Sequence, residues 1–349
     1  MNNKLPLTLG WDLGGAHLKA ALVDADGRAL RVFQQPCPLW RGSAHLEQAI
    51  AAVMAGLGDS PLRHTVTMTG ELADIFPSRG EGVAHLTQLM ADRLGDADLL
   101  IYAGRSGLVA THAVLEHLAD IASANWHASA AFLAARGAQG LFIDVGSTTA
   151  DLVVLHHGQL ATRGYSDAER MRYDELVYTG AIRTPVMAVA QQLPFSGEWQ
   201  RLAAEHFATM ADVYRLTGEL PESYDMADTA DGGEKTPQAS ARRLARMVGR
   251  DLQDAPMPQW RQLAFAVRSQ QLHLLQFAVE RTLSHALLDD EAPLIGAGAG
   301  RFLVRELASR LGRKYRDASE WVTAVPETAE WAGICLPAYA VAWLARNEA

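Results

Sequence analysis

One pattern occurs twice in this chain and constrains it more than any other: a strand that ends in Asp, a glycine turn, and a second strand. The first copy is Gly10-Trp11-Asp12-Leu13-Gly14-Gly15-Ala16-His17-Leu18-Lys19. The second, about 130 residues later, is Phe142-Ile143-Asp144-Val145-Gly146-Ser147-Thr148-Thr149-Ala150-Asp151. Copies so far apart mark duplication of a supersecondary unit, not a short-period repeat. With 349 residues the chain has room for two such units.

Alternation and turn residues fill in the rest. Strands are expected at Leu5–Trp11, Leu18–Asp24 and onward to Phe33, with Asp12–Gly15 and Asp24-Ala25-Asp26-Gly27 as the turns between them. A helix over Ser43–Leu57, strands at Thr65–Thr69 and Asp98–Tyr102, and helices at Ala113–Ala122 and His127–Arg136 follow. The second copy adds strands Gly140–Asp144, Ala150–Leu155 and Gln159–Thr162, with His156-His157-Gly158 as a turn. Residues 164–254 read as helices and polar loops, and Glu219–Glu234 carries six acids and no base. A long helix over Trp260–Leu288 precedes a strand at Ala292–Ile295 and the glycine turn Gly296–Gly300. The expected fold is α/β with two related lobes: residues 1–137, residues 138–332 with a mostly helical insertion at 164–254, and a terminal helix over 333–349 packing back on the first lobe.

Glycines let backbone N–H groups approach a phosphate, and a lysine adds a point charge. Gly14, Gly15 and Lys19 in the first turn, and Gly146, Ser147, Thr148 and Thr149 in the second, are therefore candidate phosphate contacts. Asp12, Asp144 and Asp151 are of the type that holds magnesium, directly or through water. Gly296 and Gly298 open a helix, as an anion or nucleotide contact does, but Arg301 stands where a dinucleotide fingerprint needs glycine. No Walker A motif, zinc motif or nucleophile elbow is present.

Composition narrows the partners. The net charge is −9, with 31 Lys and Arg against 40 Asp and Glu, which argues against a nucleic-acid or anionic-membrane binder. Two cysteines, Cys37 and Cys335, make neither a disulfide framework nor a metal site. Among only four lysines (Lys4, Lys19, Lys235, Lys314), one falls in the first turn. No signal-peptide pattern opens the chain, and the apolar run Ala332–Ala345 is too short to span a bilayer, so a cytoplasmic protein is expected.

The two Asp-Gly hairpins and the late glycine turn resemble the actin/Hsp70/sugar-kinase superfamily, an RNase H-like duplication. Further motifs narrow the resemblance: Thr67-Met68-Thr69-Gly70-Glu71-Leu72, Arg79-Gly80-Glu81-Gly82-Val83, Ala122-Ser123-Ala124-Asn125-Trp126, Glu175-Leu176-Val177-Tyr178-Thr179-Gly180, Arg183-Thr184-Pro185, the run Glu205–Tyr214, and Thr229-Ala230-Asp231-Gly232. Together they are similar to the hydantoinase/oxoprolinase-like proteins linked to tetrahydromethanopterin C1 transfer, a branch that includes archaeal enzymes of methanofuran biosynthesis.

That resemblance implies a transferase that condenses an aminomethyl-furanmethanol diphosphate with the phenol of a tyramine or tyrosine derivative, releasing diphosphate. The alternatives are an ATP-dependent small-molecule kinase or amide-activating enzyme, and a non-catalytic actin-like assembly module. For the transferase, magnesium and the two turns serve the diphosphate, and Arg105 and Arg183 are further candidates for substrate anions. Trp126 and Tyr178 are either pocket walls or core aromatics. A phenol, with a pKa of about 10, needs a general base. Glu71 is the first choice, with a helix N-terminal acid as its bland counterpart. Glu205 and Asp212, seven apart, would share a helix face. Asp228 and Asp231 belong to a solvated loop or to a second cation site. Arg242, Arg246 and Arg250, with Arg243 beside them, read as a solvent-facing stripe.

Overall fold

The computed structural model describes residues 7–57, 62–95 and 97–346. Leu5 and Pro6 of the first expected strand, Lys4, and residues 347–349 of the terminal segment lie outside the described residues. The chain divides into two units, one of Met1–Gln139, Leu155–Glu169 and Ala318–Ala349, the other of Gly140–Val154 and Arg170–Asp317. Residues 155–169 and 318–332, expected in the second lobe, thus belong to the first unit.

The first unit is built on a seven-stranded sheet. Its strands are β1 (Leu7–Leu13), β2 (His17–Val23), β3 (Arg28–Pro36), β4 (Leu62–Met68), β5 (Asp98–Tyr102) and β6 (Leu108–Ala110), with Thr323–Ala324 on the edge beside β3. The order is Thr323–Ala324, β3, β2, β1, β4, β5, β6. β1 is antiparallel to β2 and parallel to β4, so it is central and buried on both faces.

Side chains alternate along β1. Leu9, Trp11 and Leu13 join one core with Leu46, Ile50 and Val53 of the helix Ala44–Ala55 and Val83, Leu86 and Met90 of the helix Arg79–Leu94. Each such buried leucine contributes about 1.5–3 kcal/mol. Gly10 faces the other way, against the helix Leu336–Ala345, where a methyl group would fall 2.0 Å from the Ala338 carbonyl oxygen. That helix also packs on Asn125–Ala135, with Phe132 edge-on to Tyr339 at 5.1 Å. Among the described residues no helix is long and apolar enough to cross a membrane.

The second unit's sheet has β7 (Gly140–Val145) and β8 (Ala150–His156) side by side. β9 (Leu176–Val177) pairs antiparallel with β8, and β10 (Leu294–Ala297) lies parallel between β7 and β11 (Tyr315–Asp317). The long helix Met257–Leu283 packs against Met210–Thr217 and Pro237–Met247. The insertion is less helical than expected, because Gln192–Phe195 and Glu198–Arg201 form a two-stranded hairpin.

Three local expectations are corrected. Asp12 lies within β1, not in the turn, because strand pairing continues past it to Leu13, whereas Asp144 lies in β7 as expected. Ala113–Ala122 is a 3-10 segment, Thr111–Glu116, followed by the single turn Leu118–Ile121. Glu205 and Asp212 do not share a helix face. The helix starts at Met210 because Thr209 caps it, with the Asp212 side chain accepting from the Thr209 N–H at 3.1 Å, and Glu205 is exposed in the preceding loop.

Candidate active site

In the first unit, hairpin register sets Asp12 opposite Lys19, with Oδ2 3.7 Å from Nζ. The turn closes through the Gly14 N–H to the His17 carbonyl at 3.1 Å. Its next two carbonyls, Gly15 and Ala16, accept from the N–H groups of Leu39 and Cys37. Trans peptides point C=O and N–H in opposite directions, so the N–H groups of Ala16 and His17 face away from that segment. Asp12 is buried, which raises its pKa against the pull of the Lys19 charge and the Asn125 amide. Its Oδ1 has no hydrogen-bond partner among the described residues.

The Thr69-Gly70-Glu71 segment sits on this turn. The Thr69 N–H donates to the Leu13 carbonyl at 3.0 Å, and a methyl group on Gly70 would fall 3.0 Å from the same oxygen. Glu71 follows, 1% exposed. Its Oε1 accepts from the Ser123 hydroxyl at 2.9 Å, while Oε2 has no partner among the described residues. The same hydroxyl lies 3.3 Å from Asp167 Oδ2, which Arg79 engages at 2.7 Å. Burial pushes the Glu71 pKa up; the Ser123 hydrogen bond opposes this, the Asp167 charge adds to it, and the Arg79 charge opposes it.

Trp126 is buried, edge-on to Tyr165 at 5.9 Å and to His127 at 5.3 Å, so it stands in an aromatic cluster. Arg105 is exposed and lies over the Tyr165 ring at 4.8 Å. The Tyr165 hydroxyl donates to the Asp120 carbonyl, and burial pushes its pKa up to about 12.

The second unit repeats the turn. The Gly146 N–H donates to the Thr149 carbonyl at 2.9 Å, as Gly14 does to His17. Here three successive carbonyls are taken by one segment: Gly146 by the Ala181 N–H, Ser147 by those of Ile182 and Arg183, and Thr148 by the Thr184 hydroxyl at 3.4 Å. By peptide planarity the N–H groups of Ser147, Thr148 and Thr149 therefore face the opposite way, as a set of donors suited to an anion. The Ser147 hydroxyl is buried with no partner among the described residues.

Buried Gln271 of the long helix anchors the cradling segment, donating to Thr179 Oγ1 at 2.7 Å and the Gly180 carbonyl at 2.8 Å. Arg183 is partly buried, which lowers its pKa. Asp151 is held by buried Arg170 at 2.8 Å. Gly298 (φ 77°) lies so close to β7 that a methyl group there would fall 2.3 Å from Asp144 Oδ1, and one on Gly296 would fall 2.8 Å from the Tyr315 ring. The late glycine turn is thus packed onto the second hairpin.

Other expected residues lie elsewhere. Asp212 accepts from Arg243 and Ser240 as well as from its own helix cap. Asp231 pairs with Arg243 at 2.9 Å and Arg246 at 3.7 Å. Tyr178 is 52% exposed in the second unit. Among the described residues no three His, Cys, Asp or Glu side chains group closely enough to hold a metal by themselves. Sequence reasoning missed the roles of Ser123, Asp167, Gly180 and Gln271. Ser123 and Gly180 stood inside quoted motifs; Asp167 and Gln271 carried no local signal.

Three comparisons bear on this geometry. A family model described as Hydantoinase/oxoprolinase matches residues 63–326. The (4-{4-[2-(gamma-L-glutamylamino)ethyl]phenoxymethyl}furan-2-yl)methanamine synthase of Methanocaldococcus jannaschii is 26% identical over 246 residues, covering 70% of this chain and 72% of that protein. Among solved structures, nucleotide-free acetone carboxylase matches with a TM-score of 0.58 at 11% identity, covering 97% of this chain and 70% of that one.

Proposed function

Because this chain belongs to the hydantoinase/oxoprolinase family, and its archaeal relative is named for a furan–phenol ether product, we propose that it is a transferase of the same reaction type. It condenses an aminomethyl-furanmethanol diphosphate with the phenol of a tyramine or tyrosine derivative and releases diphosphate, on the way to a methanofuran-like C1 carrier.

The observation that carries the reading lies within the first unit: Glu71, buried and with one oxygen lacking a partner among the described residues, follows directly on the residues seated against the first glycine turn. Burial raises its pKa, which brings a carboxylate closer to the phenol it must deprotonate. Glu71 takes the phenolic proton, the phenolate oxygen attacks the furanmethyl carbon, and the carbon–oxygen bond to diphosphate breaks with its electron pair leaving on diphosphate. Lys19 and the N–H groups of Ala16 and His17 are the fixed donors for that growing charge.

Magnesium fits the donor set as a hydrated ion. The buried Oδ1 of Asp12, which has no partner among the described residues, is an acceptor for a metal-bound water. The ion would supply neutralising charge to the diphosphate. The test is diphosphate release from a furanmethyl diphosphate, without ATP, using tyramine, tyrosine and their γ-glutamyl forms as acceptors. Ether product with one of them is expected. No product with any phenol overturns the reading, and turnover that requires ATP would point to a kinase or amide-activating enzyme instead.

A further inference from the structure

We propose that Ser123 and Asp167 are positioning residues for Glu71, and that the Ser123 hydroxyl, shared between two buried carboxyl groups, is the switch that sets when Glu71 is ready to act as a base. The inference rests on Glu71 being the base of the transfer proposed above.

A serine hydroxyl has one hydrogen to donate. Ser123 Oγ lies 2.9 Å from Glu71 Oε1 and 3.3 Å from Asp167 Oδ2, so it can serve only one carboxylate at a time. With Glu71 ionised, the O–H points at Oε1. That fixes the carboxylate and leaves Oε2, which has no partner among the described residues, to take a proton. Once Oε2 carries the proton, Oε1 is a weaker acceptor. The Ser123 O–H then turns to Asp167, which Arg79 holds at 2.7 Å. No covalent bond to Ser123 is made or broken; one hydrogen bond is exchanged for another.

The backbone supports a functional reading of this contact. Ser123 has φ 55°, a left-handed conformation that costs a non-glycine residue energy and that tertiary packing must impose. The hydroxyl is thereby placed between carboxyl groups from segments 52 and 44 positions away in sequence. The charged groups that act on Glu71 are Asp167 and Arg79. Glu81, on the same helix as Arg79, accepts from Ser78 at 3.1 Å instead. The helix approaches the Glu71 backbone through Gly82, which presents no side chain.

The two partners act on Glu71 with opposite sign. Ser123 favours the ionised form by donating to it, and the Asp167 charge opposes it. The readout is a carbon-13 NMR titration of the glutamate carboxyls in the full-length chain, with the Glu71 signal assigned by its loss in Glu71→Gln. Ser123→Gly suits φ 55° and removes the hydroxyl without straining the backbone; Ser123→Ala controls for the added backbone freedom. Both should raise the Glu71 midpoint by about one pH unit, and Asp167→Asn should lower it by about one. Unmoved midpoints, or shifts in one common direction, overturn the inference. Diphosphate release by the wild type without opposed shifts sinks the switch alone. Opposed shifts in a protein that releases no diphosphate from any furanmethyl substrate sink the transferase reading and with it the catalytic use of the switch.

Discussion

Gly180 lies against Ser147 so closely that a methyl group on it would fall 2.5 Å from the Ser147 carbonyl carbon and 2.5 Å from the Thr148 nitrogen. The second glycine turn therefore has its shape only because residue 180 has no side chain. Gly180→Ala must displace the turn or the segment 181–184 that holds its carbonyls, and overpacking of this kind costs about 1–3 kcal/mol. Binding of inorganic pyrophosphate, measured by calorimetry, should weaken by about tenfold or more. The circular dichroism spectrum should stay unchanged. Wild-type pyrophosphate affinity in this variant would exclude the turn as the anion site.

Asp12→Asn and Asp144→Asn should each abolish diphosphate release. Asp12 is buried and its charged form is disfavoured there, so a neutral isostere should leave the unfolding midpoint at pH 7 unchanged or raised. Near-normal turnover in either variant would show that these acids do not serve the leaving group.

Arg243 is fully buried, donating to Asp212 Oδ1 at 2.8 Å and pairing with Asp231 at 2.9 Å. Removing one side of a buried pair leaves the other charge stranded, at a cost of about 3–5 kcal/mol. Arg243→Leu should therefore shift urea denaturation strongly, whereas Arg242→Leu, on the exposed side of the same helix, should not.

His64 accepts at Nδ1 from the Trp11 indole N–H at 3.1 Å inside the first unit's sheet, and burial lowers its pKa from 6.5 to about 4. The unfolded chain thus binds a proton at higher pH than the folded one. Stability contributed by neutral His64 is complete above pH 6.5 and is lost as pH falls from there towards 4. Thermal melts of the wild type should drop across that window, and His64→Gln should flatten this part of the profile.

Much of the fold was legible because it depends on local pattern. Asp98–Tyr102 is a strand with the bounds expected, since a short apolar run closed by turn residues has few other uses. The first hairpin was readable in kind, though its strand runs two residues further than expected. Pairing of Asp12 with Lys19 and of Leu13 with Leu18 is a cross-strand event that periodicity along one strand does not report. The arginine stripe shows the same limit. Arg242, Arg246 and Arg250 are exposed as expected, while Arg243, one position round the helix, is buried because Asp212 and Asp231 come to meet it.

What the sequence by itself determined was the duplicated Asp-Gly hairpin, the α/β class and the family, because each is carried by residues adjacent in the chain. Only the tertiary structure decided which groups act on one another. Glu71, Ser123 and Asp167 meet, and Gln271 reaches Thr179, across separations of 44 to 92 positions. Such meetings follow from packing in three dimensions. The proposed base, its hydroxyl and the cradle of the second turn therefore became visible only once the chain was folded.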